Sequence, residues 1–287
     1  MDLNKVRILK TLPIICLAFL CSCHSVNKAK EDKLSDKVSV HGKDFFLLDG
    51  SWLSMDYMNH IRDTKSPLLA YDMPKPVMVE LFINTSALLS DTLDCGADYD
   101  LHEGGNFQIY FPENADGTFT IAHNGNSDLN DGKLKITIKK GDTILHLYNT
   151  NQEGKITKHY AYKRIFNPDT SDKQFSPLNY FVKGNLIAGS YKYNNEIVAF
   201  YANGKVDFPA IHHHYYDVLT DMCCPRVGAD IIMFGDKPLI GTNFNYSQNL
   251  GYKVTKDSLL IYTLAQDTTV PTYTGLDSLK YKLVKNK

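Results

Sequence analysis

"LLDGSWLS", Leu47–Ser54, and "LIAGSYKY", Leu186–Tyr193, read as one phrase used once in each half of a 287-residue chain. Each has an apolar pair, a glycine, a serine and an aromatic residue. Two further echoes follow them in the same order. "FQIYFPENADGTFTIA" (107–122) alternates apolar and polar residues around Asp-Gly, and "EIVAFYANGKVDF" (196–208) does so around Asn-Gly. Both dipeptides tolerate positive φ and mark hairpins. "KITIKKGDTILHLY" (135–148) and "YKVTKDSLLIYTL" (252–264) each read as strand, charged turn, strand. Each is followed by a closing strand, "KHYAYKRI" (158–165) or "SLKYKLV" (278–284). Three echoes in one order indicate an internal duplication.

Many short strands with turn signals at regular spacing predict a mainly β protein. The expected fold is two tandem antiparallel up-and-down β-barrel or sandwich domains, with a short helix in the first. The helix comes from "MDYMNHIRDTKSPLLAYDMPKP" (55–76), where Met55, Met58 and Ile61 recur at three-residue spacing. It should end before Pro67 and cap one mouth of a barrel. The domains should span 44–165 and 182–287, each with its own core. The segment 166–181, with two prolines in a Ser/Asp/Thr cluster, is their linker.

The first residues read as an address. Lys5, Arg7 and Lys10 precede the apolar run "TLPIICLAFL" (11–20), which is too short for a spanning helix and fits a secretory signal over 1–22. "LCSC" (20–23) has the form of a bacterial lipobox, with Ser22 as the small residue before the cut and Cys23 as the lipidated cysteine. Several acyl chains would hold the protein firmly at a membrane. Residues 23–43 are polar and mixed in charge, a flexible tether. No acidic run follows Cys23. The expected location is therefore the cell envelope, anchored at the outer membrane and facing the periplasm.

Lys plus Arg number 31 and Asp plus Glu 32. That balance lacks the basic face that nucleic-acid binding requires. Cys95, Cys223 and Cys224 remain after the leader. An oxidising compartment permits one bridge, from Cys95 to Cys223 or to Cys224, or three free thiols.

Gly50-Ser51-Trp52 matches the G-x-W signature on the first strand of lipocalins, and Tyr162-Lys163-Arg164 resembles the final strand of lipocalin-like lipoproteins of Bacteroidota. The resemblance covers 47–165 well and 186–284 loosely. It implies that Trp52 plugs the closed end of a barrel, with Lys163 or Arg164 packed over it. In the second copy Tyr191 replaces the tryptophan and Lys282 takes the basic place. It also implies a binding role, usually for a small apolar molecule, although some members of the family act as enzymes or inhibitors. No cofactor is expected.

Other chemistry is thin. In a strand, His212 and His214 of "HHH" would share a face and could hold Zn²⁺ or Cu²⁺ with Asp217. The acidic stretch 94–105 does not have EF-hand spacing. No G-x-S-x-G elbow appears. The expected function is a lipid-anchored, non-enzymatic envelope protein that holds a small apolar ligand or presents a protein-binding surface. The alternatives are a metal-dependent hydrolase using His212 and His214, and an inhibitor or assembly subunit whose barrels are filled.

Overall fold

The computed structural model describes residues 45–88, 90–99, 101, 103–111, 114, 116–123, 132–165, 176–220, 228–237, 247–266 and 273–286. Eight strands come from the first half: β1 (Gly50–Ser54), β2 (Met78–Ile83), β3 (Thr92–Tyr99), β4 (Glu103–Tyr110), β5 (Phe119–His123), β6 (Gly132–Lys139), β7 (Asp142–Thr150) and β8 (Ile156–Ile165). Each pairs antiparallel with the next, and β8 returns to β1, so the sheet closes into a barrel. Closure removes both sheet edges.

Eight more come from the second half: β9 (Gly189–Tyr193), β10 (Glu196–Phe200), β11 (Val206–Asp207), β12 (Tyr215–Val218), β13 (Ile231–Gly235), β14 (Gln248–Val254), β15 (Ser258–Gln266) and β16 (Tyr273–Lys285). Here too the last strand pairs with the first, β16 with β9. The ladder lapses between β11 and β12. The two are joined there by a single Lys205–Tyr215 bridge, flanked by Val206 N–H to His214 O at 2.9 Å and Tyr216 N–H to Gly204 O at 2.7 Å. The protein is thus mainly β, with two antiparallel eight-stranded barrel-like sheets, one from each half.

This topology corrects one echo. β1 matches β9, β6/β7 match β14/β15, and β8 matches β16. The Asp-Gly hairpin joins β4 to β5, whereas the Asn-Gly hairpin joins β10 to β11, which stand in the place of β2 and β3. A turn dipeptide reports that a hairpin exists and carries no information on which one it is.

Helix α1 (Met55–Thr64) follows β1 directly. The Ser54 hydroxyl accepts from Tyr57 N–H at its start, and Lys65 ends it in the left-handed region at φ 59°. Pro67 does not merely stop the helix. With Ser66 as N-cap it opens α2 (Pro67–Tyr71), since a proline's missing N–H costs nothing in the first turn. Ser176-Pro177 repeats the device to open α3 (Pro177–Val182), which runs into one π-helical turn, Lys183–Ile187. So the end of the expected linker is a buried helix, with Leu178, Phe181 and Val182 inside.

The buried side chains form two clusters, and only one of them draws on a single half. One cluster fills the barrel, from Trp52, Phe107, Phe119, Leu134 and Tyr162 among others. The second sheet's cluster includes Tyr191, Phe200, Phe234 and Leu259, and also Leu53, Tyr57, Met58, Ile61, Ala70 and Val79 of the first half. The amphipathic helix therefore packs into the second sheet's core. β1 is buried on both faces as a result: Trp52 points into the barrel and Leu53 into the shared cluster.

Candidate functional site

Trp52 is fully buried and donates its indole N–H to Leu48 O at 2.9 Å, in the 3-10 turn Phe45–Leu48. β1 pairs with β8 so that Trp52 lies opposite Arg164. The Arg164 guanidinium carbon sits 4.8 Å from the ring centroid, a cation–π contact, and the same group donates to Leu47 O. Burial lowers the Arg164 pKa, and nearby Asp49 opposes that shift. Gly50 makes this possible. Its φ is +131°, and a Cβ there would stand 3.3 Å from Arg164 Cδ and Nε. Lys163 faces outward and meets Asp142 at 3.4 Å.

In the second half Tyr191 is fully buried and its hydroxyl donates to Ile187 O at 2.5 Å. Burial pushes the Tyr191 pKa up to about 12. The residue opposite Tyr191 is Lys285, not Lys282, which pairs with Leu260. Both lysines are exposed. The pairing of β16 with β9, three residues beyond Lys282, sets which lysine faces the aromatic residue.

Both interiors are occupied by side chains. In the barrel Trp52, Leu81, Phe107, Phe119, Leu145 and Tyr162 have no exposed surface. In the second sheet the same is true of Tyr191, Val198, Phe234, Leu259, Ile261 and Leu283. A ligand-sized cavity would leave open surface on the residues that line it.

The histidine cluster is not a strand. His212 has φ 58°, and the triplet precedes β12 as irregular chain. His212 and His214 are exposed, whereas Asp217 is buried and paired with Lys183 at 3.2 Å. Among the described residues no three His, Cys, Asp or Glu side chains gather to hold a metal ion. The expected set of His212, His214 and Asp217 is therefore not brought together. The middle histidine is the one engaged. His213 Nδ1 is 2.9 Å from Asp236 Oδ1, and its Nε2 is 2.7 Å from Ser247 Oγ.

Cys95 is a free thiol buried in the barrel, and burial raises its pKa far above the usual range. Cys223 and Cys224 lie outside the described residues, as do Cys23, the leader and the tether. Among the described residues no helix is long and apolar enough to cross a membrane.

Two carboxyls, Glu80 buried and Asp230 half-buried, which sequence reasoning missed, join the halves reciprocally. Glu80 of β2 accepts from Leu178 N–H at 2.7 Å and from the Ser176 hydroxyl at 3.0 Å, at the start of α3. Asp230 of the second half accepts from Leu68 N–H at 2.9 Å, in the first turn of α2. Each half thus caps a helix of the other, where free N–H groups favour a carboxylate oxygen. Burial, reinforced by Asp98, pushes the Glu80 pKa well up. Burial pushes that of Asp230 up to about 6. No signal in the sequence marks these residues, because their partners lie about a hundred positions or more away (176 and 178 for Glu80, 68 for Asp230). No family model, curated protein or solved structure matches the chain.

Proposed function

We propose that the protein is a lipid-anchored component of the cell envelope whose two barrels serve as a scaffold, presenting an outer surface to another envelope protein. The observation that carries this reading is the packing of both interiors with the chain's own aromatic and aliphatic side chains. A filled barrel has no room for the small apolar ligand that an open one would take. Function then falls to loops and outer faces, which a rigid scaffold positions. The lipobox-like "LCSC" and the polar segment behind it support an anchored protein held off the membrane by a tether. The resemblance of Gly50-Ser51-Trp52 and Tyr162-Lys163-Arg164 to lipocalin-like lipoproteins of Bacteroidota supports the same setting. There, Arg164 over Trp52 closes the first barrel.

The test is site-specific photo-crosslinking in cells that make the full chain. The crosslinker is placed at the exposed apolar positions Ile138, Ile197 and Leu279. A discrete protein adduct is expected, lost when Cys23→Ala releases the chain into the soluble fraction. Cys21→Ala should leave it anchored. Failure to form an adduct at every position, or equal membrane retention of both cysteine variants, would contradict the reading.

A further inference from the structure

Three antiparallel strands, β12, β13 and β14, end side by side. Tyr215 pairs with Gly235, and Phe234 pairs with Gln248. Just past these ends stand His213, two residues before Tyr215; Asp236, next after Gly235; and Ser247, next before Gln248. Residues far apart in sequence are thereby brought to one edge by register alone.

Their contacts are ordered. Ser247 Oγ lies 2.7 Å from His213 Nε2, and His213 Nδ1 lies 2.9 Å from Asp236 Oδ1. With the Asp236 carboxylate accepting from Nδ1–H, the tautomer is set and Nε2 is left as the acceptor facing a hydroxyl. This is the arrangement that activates a serine: base on the nucleophile, carboxylate behind the base. The backbone on both sides is pinned. His214 O accepts from Val206 N–H at 2.9 Å, and Ser247 N–H donates to Phe234 O at 3.1 Å. β13, which Asp236 directly follows, is buried throughout. His212, beside the base, is a non-glycine residue held at φ 58°, a backbone strain that clusters at functional sites. Ser247 is exposed, so its hydroxyl is open to a reactant from solvent.

We infer that Ser247, His213 and Asp236 form a serine-nucleophile site that takes the acyl group of esters. The hydrogen bond from His213 also holds the Asp236 pKa below its usual value, so the carboxylate stays charged. In the first step a lone pair of Ser247 Oγ forms a bond to the ester carbonyl carbon. The carbonyl π pair moves to oxygen, and the Oγ proton passes to His213 Nε2. Collapse of the tetrahedral adduct breaks the bond to the alkoxy oxygen, which leaves as an alcohol with the proton from Nε2. Water then attacks the acyl-serine by the same route and releases the carboxylic acid. No oxidant, metal or cofactor enters the balance. Esters are the class because an alcohol leaves readily, whereas an amine leaving group demands stronger protonation than a solvent-exposed relay with an exposed Asp236 supplies. Ser247 and His213 are the catalytic residues, and Asp236 is a positioning residue.

The experiment treats the full chain with a fluorophosphonate and locates the adduct by peptide mass spectrometry. Ser247 should be the modified serine. His213→Ala should slow its modification by about 10²-fold or more, the usual contribution of a general base. Asp236→Asn should slow it too, while Asp236→Glu, which keeps the carboxylate, retains more of the rate. Ser247→Ala should abolish labelling with an unchanged melting temperature. Modification spread over other serines, or Ser247 labelled equally fast in His213→Ala, would overturn the assignment. The wild-type labelling site alone decides the matter if a variant fails to fold. The result is independent of the crosslinking test, because the scaffold reading makes no use of Ser247.

Discussion

Trp52 and Tyr191 occupy the same place in the two halves, each donating from its ring to the carbonyl four residues upstream, Leu48 at 2.9 Å and Ile187 at 2.5 Å. Each thereby pins the turn that enters its sheet. Truncating a buried aromatic residue of this size costs about 3–5 kcal/mol, so Trp52→Ala and Tyr191→Ala should each lower the melting temperature sharply. Because α1 and Leu53 belong to the second sheet's cluster, neither loss should stay in its own half. Trp52 is the only tryptophan. Its emission, reporting the first half, should therefore change together with far-UV circular dichroism, reporting both, in one denaturation transition. Two resolved transitions would show that the halves unfold independently.

Arg164 and Lys163 are neighbours with opposite surroundings. Arg164→Met removes a cation–π contact of about 0.5–2 kcal/mol and leaves the Leu47 carbonyl without its donor. Lys163→Met removes a surface ion pair, worth about 0–1 kcal/mol. Chemical denaturation of the two variants should separate them clearly, with the arginine variant the less stable. Equal midpoints would mean that the stacked cation contributes nothing.

The reciprocal carboxyls make stability depend on pH. In the folded chain Asp230 titrates at about 6 in place of 3.8, and Glu80 is raised in the same direction. Above about pH 4 the unfolded chain loses these protons first, so it binds fewer than the folded chain. Stability from this source is then fully present below about pH 4 and is lost as pH rises to about 6 for Asp230, and beyond that for Glu80. Glu80→Gln, which keeps an acceptor for Leu178 N–H, should flatten the upper part of the decline. Measured melting temperatures that rise through this range, or that fall identically in Glu80→Gln, would contradict the assignment.

Tyr252 is buried in the second sheet, and its hydroxyl has no hydrogen-bond partner among the described residues. A buried unsatisfied polar group costs about 1–3 kcal/mol. Tyr252→Phe deletes only that oxygen, so the variant should melt at the same temperature or higher. A marked loss of stability would reveal a partner for the hydroxyl.

Much of the fold is legible along the chain because its signals are local. Alternation marks the strands, Asp116-Gly117 and Asn203-Gly204 mark hairpins with glycines at φ 74° and 86°, and the Met55/Met58/Ile61 spacing marks α1. What escapes is set by register and by packing between the halves. That Lys285 lies opposite Tyr191 depends on the register of β16 against β9. That α1 serves the second sheet depends on how the halves meet. The engagement of His213 escapes the sequence, because the left-handed turn at His212 that breaks the strand has no glycine to announce it. Asp236 and Ser247 carry no local motif at all; only the pairing of β12, β13 and β14 brings them to His213.

The central claim is that the barrels are filled by their own side chains and work as a scaffold. Native mass spectrometry of the full-length protein, extracted intact from its own membrane, tests it most directly. The account predicts a mass equal to residues 23–287 plus the lipid modification at Cys23, with no small molecule bound. A stoichiometric apolar compound, retained on gentle ionisation and released only on unfolding, would show an occupied interior and contradict the claim.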